Sequence, residues 1–257
     1  MIPTDIAGCK LWLDASDAAT VTIVGGKVTQ WYDKTSWGQF LRNDQDVYYQ
    51  ANLGTKYVIS CPRVVNQNNS MRSKIADGMP AWVLNSSNNT VIMLQRRLSS
   101  ALAAGASAVF YKNGEGDSFS ANGIGCYYNN TLYQWRRWFG ADQMNLEQVT
   151  PSLDIWGVVA LVRNSGNASA YVNNVVVGTD TYSDISVMTP DSIVLGNNSG
   201  TDAPGSNEFA EVLVYDSALS TANMTALYNY LMAKWYGGGW LQRNYWWERP
   251  TSSSGVR

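Results

Sequence analysis

The stretch Phe209-Ala-Glu-Val-Leu-Val-Tyr215 leads through a short turn to Ser220 and then to Met224, Leu227, Leu231 and Trp235, and no other part of the chain constrains the fold as much. Residues 209–215 alternate Phe, Glu, Leu and Tyr against Ala, Val and Val, the period of a strand with two different faces. Ser220 stands at an N-cap position, and the four apolar residues that follow recur at the spacing of one helical face. A strand feeding one amphipathic helix packs that helix on its own sheet. Elsewhere the charge is low, and 22 Gly with many Asn, Ser and Thr separate short apolar runs. Turn signals at Gly25-Gly26, Asn113-Gly114, Ala121-Asn-Gly123 and Asn173-Asn174 favour antiparallel strands. Only residues 220–235, and a weaker stretch Leu94–Ala104, read as helical. A chain of 257 residues can bury a sizeable core, and all-β sandwiches of that length are commonly one domain.

The strand, the turn and the helix closing in Tyr230-Leu-Met-Ala-Lys-Trp235 resemble the C-terminal signature of concanavalin A-like lectin/glucanase domains of the laminin-G-like group. Lys10-Leu-Trp-Leu-Asp-Ala-Ser-Asp17 and Gly25-Gly-Lys-Val-Thr-Gln-Trp-Tyr-Asp-Lys-Thr-Ser36 resemble the opening of bacterial and phage members of that group. Val158–Arg163, Ala168–Gly178 and Ile193–Asn197 are similar to its later strands, so the resemblance covers residues 5–236. It implies an all-β fold: a two-sheet antiparallel jelly-roll sandwich, concanavalin A-like, over residues 1–236 with one C-terminal helix; the aromatic tail over 237–257 is not explained by the resemblance.

Several function classes are excluded or disfavoured by composition. The chain has no histidine, which removes Ser-His-Asp and Cys-His chemistry. Its net charge of −2, without a basic run, argues against a nucleic-acid partner. No apolar stretch is long enough to span a bilayer, so no membrane insertion is expected. The first residues lack the basic and hydrophobic regions of a signal peptide, so release by lysis or another export route is expected. Cys9, Cys61 and Cys126 form an odd, scattered set that reads as free thiols.

Carboxylate catalysis survives that filter, but glucanases of the resembled fold carry alternating carboxylates on one strand, and that motif is missing here. Glu211 and Asp216 are five residues apart, which on a regular strand turns them to opposite faces. Glu211 matches an acidic position of the resembled terminal strand and is expected to be a structural partner for loop backbone or an arginine. The expectation is therefore no enzymatic activity and no catalytic residue.

Binding rests on aromatics, with 11 Trp and 15 Tyr. Trp12, Trp31, Trp82 and Trp156 read as sandwich filling. The candidate ligand surface is Tyr127, Tyr128, Trp135, Arg136, Arg137 and Trp138, whose rings and guanidinium groups suit pyranose stacking or a protein partner. The plainer alternative is a hairpin with aromatics inward and arginines outward. No cofactor is expected. A rim calcium is common among the resembled domains, and Asp33, Asn197, Asn198 and Asp202 are weak candidate donors, without the spacing of a known calcium loop.

Beyond Gly237-Gly-Gly239, the tail carries Trp240, Arg243, Tyr245, Trp246, Trp247 and Arg249, residue types that concentrate energy at interfaces. The resulting expectation is a non-enzymatic component of a bacteriophage particle, a capsid decoration, fibre or tail protein located in the virion. Its tail would attach it to other virion proteins in a homo- or hetero-oligomeric assembly, and its jelly roll would face a cell-surface glycan. The alternatives are a bacterial extracellular carbohydrate-binding module at the cell surface and, behind it, a glycan-cleaving enzyme.

Overall fold

Strands dominate the computed structural model, which describes residues 1–35, 40–43, 46–62, 70–74, 88–98, 107–109, 111–112, 123–128, 133–139, 142–148, 154–181, 192–196 and 206–237. Among these residues every strand pairing is antiparallel. The larger sheet has 14 strands. Its order runs Tyr111–Lys112, Ser192–Gly196, Ser70–Lys74, Phe40–Asn43, Lys27–Tyr32, Tyr48–Leu53, Lys56–Cys61, Asn207–Tyr215, Asn89–Arg97, Trp156–Asn164, Asn167–Val172, Val175–Thr181. Off this path, Val21–Val24 pairs with Lys27–Tyr32, and Cys9–Asp14 pairs with Asn207–Tyr215. A four-stranded sheet orders Asp142–Gln148, Tyr133–Phe139, Gly123–Tyr128 and Ser107–Val109.

A network of 14 strands cannot stay flat without curling or splitting into layers. Here it folds back on itself. The Cys61 thiol lies 3.8 Å from the Leu195 carbonyl oxygen, although their strands are five places apart in the sheet order. The four-stranded sheet approaches both ends, with Asp142–Gln148 near Val175–Thr181 and Ser107–Val109 near Ser192–Gly196. Between the layers lies one apolar core containing Leu11, Leu13, Trp31, Val91, Met93, Leu161, Leu195, Phe209 and Val212. This is the expected jelly-roll sandwich.

The helix Thr221–Tyr236 forms as its sequence dictates. Ser220 caps it by accepting from the Asn223 N–H, and Met224, Leu227, Leu231 and Trp235 are its buried residues. Gly237 closes it at φ +70°, a conformation glycine adopts without a side-chain penalty. The hairpin turn Asn173-Asn174 likewise takes positive φ at both residues, as expected of a two-residue turn between twisted strands.

One expectation needs correction. Leu94–Ala104 is not helical in its described part, because Asn89–Arg97 is a strand paired on both edges. Its run Thr90-Val-Ile-Met-Leu94 is buried on both faces, and a doubly buried strand has no alternation to distinguish it from a helix. Phe209–Tyr215 is a strand with two different faces, and both are covered, since all nine residues of Asn207–Tyr215 are buried. One face meets the opposite layer, and the other is covered by the helix.

Candidate functional site

The densest polar chemistry among the described residues lies where the helix meets the strands Cys9–Asp14 and Asn207–Tyr215. Glu211 is wholly buried, and each carboxylate oxygen accepts two hydrogen bonds. Oε1 takes Trp12 Nε1 at 2.7 Å and the Tyr230 hydroxyl at 3.0 Å. Oε2 takes Lys234 Nζ at 2.7 Å and Trp235 Nε1 at 2.6 Å. Tyr230 and Lys234 are one helical turn apart, so a single face of the helix delivers both, while Trp12 comes from the neighbouring strand.

Glu211 has a second carboxylate beside it. Asp14 is its direct register partner, and Lys234 bridges the two, at 2.7 Å from Asp14 Oδ1. Asp14 Oδ1 also accepts from the Ser16 backbone and hydroxyl, while Oδ2 meets Lys34 at 3.0 Å, and Lys34 continues to Asp17 at 2.8 Å. Lys34 and Lys234 both lie over the Trp12 ring.

The two acids diverge in proton affinity. Burial, reinforced by Asp14, pushes Glu211 above the ordinary glutamate value, against the pull of Lys234 and Trp235. Burial also pushes Asp14 upward, but Lys234, Ser16 and Lys34 outweigh it and hold the group below the ordinary aspartate value. Two carboxyls with diverging pKa values are what an acid–base pair requires. Access to a substrate is missing: the side chains of Glu211 and Asp14 are 0% and 3% exposed, and the lone pairs of Glu211 are occupied. The cluster fastens the helix to the sheet. Its donors are two indoles, a phenol and a lysine, rather than the expected loop backbone or arginine.

Of the other predicted residues, Asp33 is buried and accepts from the Trp12 backbone N–H at 2.7 Å and the Thr35 N–H at 3.0 Å, and from the Thr35 hydroxyl. The Thr35 contact is an Asx-type turn, and the Trp12 contact ties that turn to the strand Cys9–Asp14. Asn197, Asn198 and Asp202, the tail residues Trp240, Arg243, Tyr245, Trp246, Trp247 and Arg249, and Trp82 lie outside the described residues. Trp12 and Trp31 are buried, and Trp156 is partly buried against the core. Cys9 and Cys61 are free thiols, both pushed up to about 12 chiefly by burial.

Tyr127, Tyr128, Trp135, Arg136, Arg137 and Trp138 fall on paired strands, Gly123–Tyr128 and Tyr133–Phe139. The register sets Trp135 opposite Cys126 and the buried Leu146, and Arg136 opposite Gly125 and Asn145. The placement of their side chains lies outside the described residues.

Sequence reasoning assigned no role to Asp14, Lys34 or Lys234. Asp14 sits in the N-terminal motif Lys10–Asp17, and Lys234 follows Tyr230 by four residues; these were the available signals.

A family model described as the concanavalin A-like lectin/glucanases superfamily matches residues 79–224, more than half of the chain. No curated protein matches the sequence. Among solved structures, the botulinum neurotoxin serotype D binding domain superposes with a TM-score of 0.65 at 12% identity, covering 88% of this chain and 52% of that one. The binding domain of botulinum neurotoxin DC, solved in complex with SialylT, gives 0.64 at 11% identity, with 87% and 51% covered. The Trypanosoma rangeli sialidase, solved in complex with sialic acid, gives 0.64 at 14% identity, with 93% and 36% covered. The chain thus spans about half or less of the length of these structures, and at such identities the likeness is one of fold.

Proposed function

Because the chain belongs to the concanavalin A-like lectin/glucanases superfamily, we propose that it is a non-enzymatic, lectin-like domain that recognises carbohydrate. The observation that carries this reading is the sealed state of Glu211. Hydrolysis by paired carboxylates needs both groups beside a cleft that admits sugar and water. Here Glu211 and its register partner Asp14 are buried beneath a helix and neutralised by lysines. Sharing the fold with toxin binding domains and a sialidase, two of them solved with SialylT or sialic acid, supports a sugar ligand. The test is a glycan panel scored twice, for retention of the protein and for new reducing ends. Retention without cleavage is expected; catalytic release of reducing ends sinks the non-enzyme reading.

The finer reading is a bacteriophage particle component whose residues 237–257 attach it to other virion proteins while the jelly roll faces a cell-surface glycan. What supports it is the aromatic composition of the tail and its place just beyond the helix, which ends at Tyr236. Deleting residues 240–257 should leave a folded domain that no longer joins its assembly. Replacing Trp246 or Trp247 with Ala should weaken attachment about thirtyfold or more, as for a buried interface tryptophan. Normal incorporation of the truncated chain removes the docking role. A lowered melting temperature with retained assembly assigns the tail to its own domain instead.

A further inference from the structure

Glu208 lies on the same strand as Glu211 and faces the same way. A register shift between Phe209 and Glu211 sets Glu208 opposite Arg96 and Glu211 opposite Leu94, which share one face of their strand. Glu208 belongs to a transverse row. Trp156 is opposite Arg96, Arg96 opposite Glu208, Glu208 opposite Ser60, and Ser60 opposite Tyr48. At about 4.8 Å per strand, the four steps span roughly 19 Å, room for several pyranose rings in line.

The polar groups of this row are held in place before any ligand arrives. Arg96 donates to Glu208 Oε2 through Nε at 2.7 Å and lies 2.5 Å away through Nη2. Asn52 donates to Glu208 Oε1 at 2.5 Å and to Gln50 Oε1 at 2.9 Å. The Glu208 side chain is 2% exposed, but that of Arg96 is 21% exposed, Trp156 is partly exposed, and Gln50 is exposed. The guanidinium sits over the Trp156 ring, 5.3 Å from its centroid, and the buried Trp156 Nε1 has no acceptor in the protein. Asp154, at φ +64°, donates its N–H to the Arg97 carbonyl and sets the turn that brings Trp156 beside Arg96. The helix stops short of this row. Its last buried residue, Trp235, lies under Lys56, and Ser60 is four residues farther, about 13 Å along the strand.

A partly exposed aromatic plate, a guanidinium fixed by a buried carboxylate, and amides already oriented are the groups that recognise pyranoses: the ring stacks on the sugar's C–H face while planar donors and acceptors take its hydroxyls. Arg96 and Glu208 cancel in charge, so the row carries no net attraction for an anionic sugar. We infer that it binds a neutral glycan chain laid across the strands, with Trp156, Arg96, Asn52 and Gln50 as contact residues and Glu208 as the residue that positions Arg96 and Asn52. This inference rests on the recognition reading above and names its site and ligand class.

The full chain is tested against immobilised neutral hexose and N-acetylhexosamine tetrasaccharides, with one sialylated tetrasaccharide alongside. Trp156→Ala should weaken binding of the neutral probe about tenfold or more, Gln50→Ala about threefold, and Trp156→Phe, which keeps a stacking ring, less than Trp156→Ala. Melting curves identify folded variants, and Gln50→Ala, at an exposed position, keeps the test valid if Trp156→Ala does not fold. Unchanged binding in Trp156→Ala and Gln50→Ala, with loss in Trp138→Ala or Arg136→Ala, moves the site to the hairpin and overturns this inference while the recognition reading stands. Tighter binding of the sialylated probe overturns the neutral class. Failure of the intact chain to bind any probe overturns the recognition reading and the row together.

Discussion

Glu208 and Glu211 share a strand and a face, and both are buried and paired with a cation, yet different groups cover them. Glu211 is covered by the helix and saturated by four donors, two of them indoles. Glu208 lies beyond the helix end, held by an arginine and an asparagine that themselves reach solvent. The difference teaches that the same acidic residue type serves as a bolt where a helix seals it and as a support where the side chains that cover it reach solvent themselves. Whether a carboxylate on this fold can act on a ligand depends on cover, not on its presence in the strand.

The largest effect that can break this contrast is a pair of deletions. Glu211→Ala leaves two indole N–H groups, a phenol and a lysine buried without their acceptor, and should destabilise the domain by about 3–5 kcal/mol. Glu208→Ala releases Arg96 and Asn52 to water and should cost about 1–2 kcal/mol. Urea denaturation of both variants decides it. Equal losses would mean that the partners of Glu208 are no better able to turn to water than those of Glu211, and the distinction between bolt and support would fail.

A finer comparison uses the tryptophans that flank each glutamate. Trp12→Phe keeps a ring but removes the hydrogen bond to Glu211 Oε1, and should cost about 1–2 kcal/mol. Trp156→Phe removes no hydrogen bond within the protein, because Nε1 has no acceptor, so its cost should stay below about 1 kcal/mol. A larger loss for Trp156→Phe than for Trp12→Phe, measured by thermal unfolding, would reverse the assignment of the two regions.

Much of the bolt was legible in the sequence, and little of the support was. The N-cap Ser220, the helical face from Met224 to Trp235 and the strand before it are local patterns, and they hold in the structure. The acidic position of Glu211 was visible too, but its donor Trp12 is 199 residues away, and only strand pairing brings it near. The row around Glu208 was hidden by two irregularities. Counting by twos along a strand puts residues 208 and 211 on opposite faces, and the register shift that aligns them leaves no mark in the sequence. The strand that supplies Arg96 is buried on both faces, so its C-terminal half reads as readily as helix.

The smallest expected effect is a difference in slope with pH, and it separates the two carboxylates inside the bolt. Asp14 sits below the ordinary value of 3.8, so its contribution to stability is fully present above that pH and is lost as pH falls through its lower folded value. Glu211 is raised above 4.5, so the folded state holds its proton more tightly than the unfolded state. Acidification through the window between 4.5 and the raised folded value therefore favours the folded form, opposite in sign to the contribution of Asp14. Urea midpoints measured from neutral pH down to about pH 2 should show a shallower acid decline for Asp14→Asn, whose depressed group is gone. They should show a steeper one for Glu211→Gln, where the opposing gain is removed. Comparing slopes rather than absolute midpoints isolates the titration from the lost contacts, which lower stability at every pH. An unchanged slope in both variants would mean that Lys234 holds the two acids equally, and that the helix is fastened by geometry alone.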